Sequence, residues 1–319
     1  MTSPRFRVIT DNDYAGDPDG LFQLVHLLLS PSVDVRLVVG SHLAPGDPFD
    51  PSDTTADDAV VQVERVLALL GRTGQVAVAA GSNVKLTDTR TPHGSAAARA
   101  IVAEAMREDT GLPLFGVFGG GLTELADAWL LEPRIAQRMT AIWIGGPEYG
   151  PGHADGPFPP VDAMYPEYNM RIDVTAAQVV FGDSDLPLWQ VPRNAYRQTL
   201  ASFAELDERV GDSGPVGEYL MATLHRVEES VSRAGGSIGE VYVLGDSPLV
   251  LLTALQSSFE PDPSSSEYRV VPAPTIADDG SYRHRADGRG IRVYTRLDVR
   301  LMLEDLYAKL ARFGRVDAG

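Results

Sequence analysis

Four aspartates crowded near the start of the chain are the side chains best suited to chemistry. Asp11, Asp13, Asp17 and Asp19 lie within residues 9–22, ITDNDYAGDPDGLF. Crowded carboxylates repel one another, so a partly buried turn that holds several of them requires a cation or strong hydrogen bonds. Asp is also common in turns as a backbone cap, and Asp19 has the position of a helix N-cap. Four aspartates in one turn nevertheless favour a cation site.

The ligand types available narrow the choice of ion. Carboxylate oxygens suit a hard cation such as Ca²⁺ or Mg²⁺, whereas zinc prefers His or Cys. The chain of 319 residues contains no Cys, which also excludes disulfides and thiolate catalysis. The sequence therefore indicates a hard-cation site and leaves Ca²⁺ and Mg²⁺ open.

A predicted strand and a predicted helix hold the aspartates between them. Residues 5–10 (RFRVIT) have the pattern of a short strand, and residues 21–29 (LFQLVHLLL) that of a buried helix. The aspartates therefore follow the carboxyl end of a strand in a βα unit. Open α/β sheets bind their ligands at this edge.

Strand and helix patterns alternate over the first two thirds of the chain. Strands are predicted at 33–39, 75–80, 114–118, 140–144 and 186–191, and helices at 59–70, within 92–107, at 122–131 and at 174–181. The rest is mainly helical, at 214–233, 246–256 and 297–313, with strand-like runs within 268–295. We expect one α/β domain over residues 1–319, a mostly parallel, Rossmann-like central sheet with helices on both faces and a helical C-terminal portion.

Composition limits the possible partners. The formal net charge is −17, which argues against binding of nucleic acids and against docking on anionic membranes. No apolar run reaches the length of a membrane span, and the first residues lack the apolar stretch of a secretory signal. We therefore expect a cytoplasmic protein that binds a small neutral or cationic molecule.

Four segments spread over most of the chain match the pattern of one known family. The opening DNDYAGDPD is similar to a DxDPGxDDA signature, and GGLTEL at 120–125 with LEPRIAQR at 131–138 is similar to GGLTN…LEP. IGG at 144–146 matches a central strand, and PEYNMRIDVTAAQVVF at 166–181 is similar to AEFN…DPEAA…VF. By these segments the chain resembles the calcium-dependent nucleoside hydrolases of the inosine-uridine type.

The resemblance implies roles for the opening aspartates. Asp13 would be a metal ligand and the base that deprotonates the attacking water. The family's adjacent Asp pair is here interrupted by Pro18, so the assignment within the pair stays open. We assign Asp17 to a ribose hydroxyl and Asp19 to the metal.

The resemblance also implies roles for residues far along the chain. Gly119 would offer its backbone carbonyl to Ca²⁺, and Asp246 would complete the metal shell and contact the substrate. Glu167 and Asn169 would bind ribose hydroxyls, and Ser41 stands where the family has an asparagine. The implied activity is hydrolysis of the N-glycosidic bond of a nucleoside or related ribosyl compound, in a homodimer or homotetramer.

One departure bears on the chemistry. The family has a His directly before the Asp matched by Asp246, and this His protonates the leaving base, whereas here the residue is Gly245. His42, His153 and His284 are candidates for a replacement proton donor. Tyr149 and Tyr168 are candidates for stacking on a base.

Two functions therefore stay open. The first is a Ca²⁺-dependent N-ribosyl hydrolase, which the retained metal and ribose residues favour. The second is a non-catalytic or repurposed relative that binds a sugar or polyol through the same metal. Gly245 favours the second, since it removes the leaving-group acid.

Overall fold

The computed structural model describes residues 3–149, 167–260 and 263–317. Its main sheet has the strand order β3-β2-β1-β4-β5-β6-β12-β9. These strands are β1 (Phe6–Asn12), β2 (Val33–Gly40), β3 (Ala77–Ala80), β4 (Leu114–Phe118), β5 (Met139–Ile144), β6 (Leu188–Val191), β9 (Glu267–Pro272) and β12 (Gly290–Arg296). Two small antiparallel sheets pair β7 (Leu200–Ser202) with β8 (Val241–Val243) and β10 (Thr275–Ile276) with β11 (Tyr282–Arg283).

The main sheet is parallel except at one edge. Neighbouring strands from β3 to β12 run parallel, and only β9 pairs antiparallel with β12. The carboxyl ends of the parallel strands therefore lie along one edge of the sheet, which confirms the predicted mostly parallel α/β fold.

The helices connect the strands or follow them. They are α1 (Asp19–Leu28), α2 (Thr55–Leu69), α3 (Ala96–Ala105), α4 (Thr123–Leu131), α5 (Tyr168–Ile172), α6 (Val174–Gln178), α7 (Arg193–Tyr196), α8 (Phe203–Leu206), α9 (Pro215–Arg233), α10 (Pro248–Leu251) and α11 (Val299–Asp317). Throughout the described part of the chain, each helix is too short or too polar to cross a lipid bilayer.

Alternating side chains of the strands pack two hydrophobic cores, one on each face of the sheet. In β1, Val8 joins the core shared with α1, α2, α9 and α11, whereas Ile9 joins the core shared with α3, α4 and α6. In β5, Ile142 and Trp143 divide in the same way. This two-residue period explains the nearly continuous apolar runs, since a strand covered on both faces has no polar side.

Some element boundaries differ from those predicted. β1 continues to Asn12, so Asp11 lies inside a strand, where it pairs with Val39 and Phe118. α1 already begins at Asp19.

One predicted helix was too long, and another changes its geometry along its length. The helix predicted at 246–256 is reduced to α10, after which the chain continues in turns. The helix predicted at 174–181 changes at Val179 into a π-helical turn that ends at Asp183. Apolar periodicity extends past the end of regular α-helix in both cases, because turns that pack on the core also bury apolar side chains.

Candidate active site

A cavity of about 460 Å³ opens at the carboxyl edge of the sheet. Its wall contains seven of the eight predicted site residues, namely Asp13, Asp17, Asp19, Gly119, Glu167, Asn169 and Asp246. These residues follow β1, β4, β5 and β8, so the fold gathers them from well-separated parts of the chain. A larger groove of about 970 Å³, beside α2 and α9, contains none of the eight.

The glycines after β4 allow a close approach of two strand ends. A Cβ on Gly119 would lie 2.3 Å from the Asn12 amide nitrogen, and a Cβ on Gly120 would lie 3.2 Å from the Asp13 Cβ. In the structure the close neighbour is the Asn12–Asp13 segment, so the glycines hold the Gly119 carbonyl at the cavity wall.

Asn12 connects acidic residues from the first strand and from the last third of the chain, a role that the sequence did not reveal. Its side-chain oxygen accepts a hydrogen bond from the Asp13 N–H (2.9 Å), and its amide nitrogen donates to Asp246 Oδ2 (2.9 Å). Asn12 is fully buried. The only sequence signal was its position between two aspartates.

Asp19 and Asp246 are also in direct contact. The Asp246 N–H donates to Asp19 Oδ2 over 3.1 Å. Burial raises the pKa of both carboxyls, that of Asp246 to about 7. Burial likewise raises the pKa of Asp13 and of Asp17, and the charge of Asp246 raises that of Asp13 further. Neighbouring buried carboxylates of this kind require protons or a cation.

The donor set suits a hard cation only in part. Asp13 Oδ2 is buried and has no hydrogen-bond partner among the residues that the structure describes, as expected of an oxygen reserved for an ion. Carboxylates and the Gly119 carbonyl are the oxygen ligands that Ca²⁺ accepts. In the described ranges, however, no three His, Asp or Glu side chains are already grouped as a metal site. The residue types and the orphaned oxygen fit the ion, and the carboxylates would have to converge to bind it.

Glu167 is fixed by three donors. Its Oε2 accepts from the backbone N–H groups of Gly146 (2.7 Å) and Met170 (3.1 Å), and its Oε1 accepts from the Tyr196 hydroxyl (2.8 Å). The bond from Met170 makes Glu167 the N-cap of α5, so it serves as a local cap as well as a wall residue. Burial raises its pKa.

Asn169 uses its amide nitrogen within the protein. Nδ2 donates to the Gly119 carbonyl (2.7 Å) and to the Ile144 carbonyl (2.8 Å). The side-chain oxygen is therefore the group that a ligand hydroxyl could contact. A carbonyl has two lone pairs, so the Gly119 oxygen keeps one for a second partner.

Tyrosines hold two further carboxylates near the cavity. The Tyr242 hydroxyl donates to Asp17 Oδ1 (2.8 Å), and the Tyr168 hydroxyl donates to Asp47 Oδ2 (2.7 Å). Tyr168 lines the cavity, as a stacking residue must. Tyr149 does not, because its ring packs on Tyr282 with centroids 5.0 Å apart.

Other candidates lie away from the cavity wall. Ser41 follows β2 and is buried, and its N–H donates to the Asn12 carbonyl. His42 is also buried, with its ring nitrogens bonded to the Leu43 carbonyl and the Thr123 hydroxyl. His284 is exposed and does not line the cavity, and His153 lies outside the described residues.

The wall that follows β6 was not predicted. Arg193, Tyr196 and Arg197 come from α7 and the residue after it, and Glu148 follows β5. Arg193 Nε and Nη2 donate to the two Glu148 oxygens over 2.7 and 2.6 Å. The polar run RNAYR directly after a buried strand was the available signal.

Comparisons with known proteins identify the family of the chain and its fold. A family model described as inosine-uridine preferring nucleoside hydrolase matches residues 8–303. A plant nucleoside hydrolase, PpNRh1, shares the fold with a TM-score of 0.72 and 20% identity, over 97% of this chain and 99% of that one. A purine-preferring ribonucleoside hydrolase from Gardnerella vaginalis gives a TM-score of 0.68 and 16% identity, with the same coverage of both chains. None of the curated proteins compared with the chain matches it significantly.

Proposed function

The chain belongs to the family of inosine-uridine preferring nucleoside hydrolases, which are hydrolases acting on N-glycosyl compounds, and from this premise we propose a function for its cavity. The cavity hydrolyses the N-glycosidic bond of a nucleoside or a related ribosyl compound. The observation that carries the proposal is the convergence of seven family-type residues on one wall.

The family in general is metal-dependent, and we propose Ca²⁺ as the ion. Asp13, Asp19, Asp246 and the Gly119 carbonyl would hold it, since they are oxygen donors at one wall. When bound, such an ion lowers the pKa of a coordinated water and offsets the repulsion among the carboxylates.

Asp13 acts as the general base. Its carboxylate takes a proton from the attacking water, and the hydrogen bond from its own N–H to Asn12 keeps this segment in place. The ribosyl carbon passes through a positively charged, oxocarbenium-like state. Surrounding carboxylates stabilise that charge, because the buried site screens it less than water would.

The hydroxyl groups of the ribose are bound by side-chain oxygens of Asn169, Glu167 and Asp17. Asn169 offers its side-chain oxygen, and Glu167 is oriented by its three donors. Asp17 offers Oδ2, since its Oδ1 accepts from Tyr242. Ser41 has no place in this set because it does not line the cavity.

The test compares hydrolysis of p-nitrophenyl riboside, inosine and uridine by the wild type and by Asp13→Ala, with and without Ca²⁺. Loss of the general base should lower kcat by about 10²–10⁴-fold. The matched control is Asp287→Ala, an exposed aspartate outside the cavity, which should keep full activity. Full activity of Asp13→Ala would refute the proposed role.

The same experiment separates the second candidate, metal-dependent binding of a sugar or polyol without turnover. Only Gly245 favours it, since a Gly cannot protonate a leaving group. Binding of ribose that requires Ca²⁺, with no turnover of any of the three ribosides, would identify this function instead.

A further inference from the structure

The cavity wall beside α7 carries two arginines and two carboxylates. Arg193 and Arg197 line it together with Glu148 and Glu167. Arg193 forms a two-point ion pair with Glu148. The Arg197 side chain is exposed and forms no hydrogen bond or ion pair with the part of the chain that the structure describes. Among the described residues, Arg197 is therefore the arginine of this wall that has no direct partner.

Arg193 and Arg197 lie close enough to Glu148 to change the pKa of its carboxyl. The charges of both Arg193 and Arg197 lower the pKa of this carboxyl, against the effect of its burial. Glu148 therefore stays ionised and remains the ion-pair partner of Arg193.

The arginines and the first aspartates reach the cavity from different strands. β1, β4, β5 and β6 are consecutive neighbours, so β1 and β6 are about 14 Å apart at three strand spacings of about 4.8 Å. Asp13, Asp17 and Asp19 follow β1, whereas Arg193 and Arg197 follow β6. A bond that breaks into a sugar cation and an electron-rich leaving group can therefore meet carboxylates from β1 and a guanidinium from β6.

The position from which the family protonates the leaving group is crowded in this chain. A Cβ on Gly245 would lie 3.0 Å from Asp19 Oδ2 and 3.4 Å from Tyr196 Cδ2. Tyr196 belongs to α7, the same short helix that carries Arg193. Its hydroxyl already donates to Glu167. The α7 wall therefore occupies the space beside Gly245.

We infer that the leaving group departs as an anion toward the α7 wall and that Arg197 stabilises it. The substrate class is then a ribosyl compound with a weakly basic aglycone, which is stable as an anion once released. This inference rests on the proposed function and assigns Arg197 as a specificity-determining residue.

The bonds and charges balance without a proton donor. The bond from C1′ to the aglycone breaks, and its electron pair stays with the aglycone. The water oxygen bonds to C1′, and the proton of that water passes to Asp13 and then to solvent. The released anion leaves beside Arg197 and takes its proton from solvent according to its own pKa.

The inference is tested by measuring kcat/KM for hydrolysis of two ribosides that have different leaving groups. With p-nitrophenyl riboside, Arg197→Gln should lower kcat/KM about tenfold, less than the loss of a buried oxyanion donor because Arg197 is exposed. With phenyl riboside the loss should be larger, because the phenolate charge is more concentrated. Arg197→Lys should restore much of both losses. Arg300→Gln, at an exposed position of α11, is the matched control and should change neither.

An equal loss of kcat/KM with both ribosides, or no loss, would overturn the inference.

Equilibrium dialysis of p-nitrophenolate measures binding of the anion without turnover. Arg197→Gln should weaken its binding about tenfold at low salt, and added salt should reduce the difference. If the wild type hydrolyses none of the ribosides, the proposed function is refuted. Weaker binding of p-nitrophenolate by Arg197→Gln than by the wild type would still support an anion site at Arg197. Equal binding by the two proteins would refute that site.

Discussion

Asn12 shows how much the site depends on one neutral side chain. It joins the Asp13 backbone to the Asp246 carboxylate, and it is fully buried. Asn12→Ala should lower the free energy of unfolding by about 2 kcal/mol, because it leaves a buried donor and a buried carboxylate unpaired. It should also weaken Ca²⁺ binding, since Asp13 and Asp246 lose their common partner.

Chemical denaturation and calorimetric titration with Ca²⁺ measure the two effects. Asn83→Ala is the matched control, because Asn83 also makes two hydrogen bonds, to Ala56 N–H and Asp57, but lies away from the cavity. Unchanged Ca²⁺ affinity in Asn12→Ala would contradict the linking role.

Glu124 predicts a pH dependence of stability. It is buried, and burial raises its pKa from 4.5 to about 7. Between these values the unfolded chain releases a proton that the folded chain keeps, so this stabilising contribution is lost as pH rises. The loss should reach about 3 kcal/mol, since one pKa unit corresponds to about 1.4 kcal/mol.

The free energy of unfolding of the wild type minus that of Glu124→Gln, measured from pH 4 to 8, isolates this contribution. The difference should fall through the window and level off above pH 7. Its constant part reflects the lost acceptors for Ser82 N–H and the Ser95 hydroxyl. Glu108→Gln, on the surface, should give a flat difference. A flat difference for Glu124→Gln would show that its pKa is ordinary.

At the scale of elements, the turn after β4 limits what residue 119 can be. A Cβ on Gly119 would clash with Asn12 at 2.3 Å, and both segments leave the sheet at the cavity. Gly119→Ala should cost about 2 kcal/mol of folding free energy through overpacking and should displace Asn12. Gly111→Ala is the control, because its Cβ would meet nothing within 4 Å. Equal thermal midpoints of the two variants would contradict the clash.

The sequence was most informative where both faces of a strand are buried. The strand predicted at 114–118 agrees with β4 (Leu114–Phe118), and the parallel sheet places the carboxyl ends of distant strands together. The family resemblance, rather than the strand pattern, assigned residues 13, 119, 167 and 246 to one site, and the parallel sheet explains how such distant residues can lie together.

What the sequence could not reveal depends on contacts between distant segments. The bond from Asn12 to Asp246 spans 234 positions, and that from Tyr242 to Asp17 spans 225. Arg197 was missed because an exposed arginine after a strand has no distinctive spacing. The resemblance pointed to Ser41, but the cavity wall does not include it. A sequence match in a diverged loop identifies the corresponding residue, but it does not predict the direction of the side chain.

The whole molecule brings its first strand and its last third together at the cavity. Asp13 and Asp19 come from the N-terminal βα unit, and Asp246 comes from the segment before α10. Burial of these carboxylates without a counter-ion is costly, as their raised pKa values indicate. The homodimer or homotetramer stays a prediction, which the mass in light scattering tests against the 34.3 kDa chain.

Because the carboxylates come from the N-terminal βα unit and from the last third of the chain, a bound cation should stabilise the complete fold. An ion that binds only the folded state at 100 times its Kd adds about 2.7 kcal/mol to the free energy of unfolding. Removal of Ca²⁺ with EGTA should therefore lower Tm by several degrees. Asp246→Asn should have a lower Tm response to Ca²⁺, whereas the exposed Asp287→Asn should respond as the wild type does. A wild-type Tm that ignores both Ca²⁺ and EGTA would mean that protons alone neutralise these carboxylates, and activity would then have to be independent of the metal.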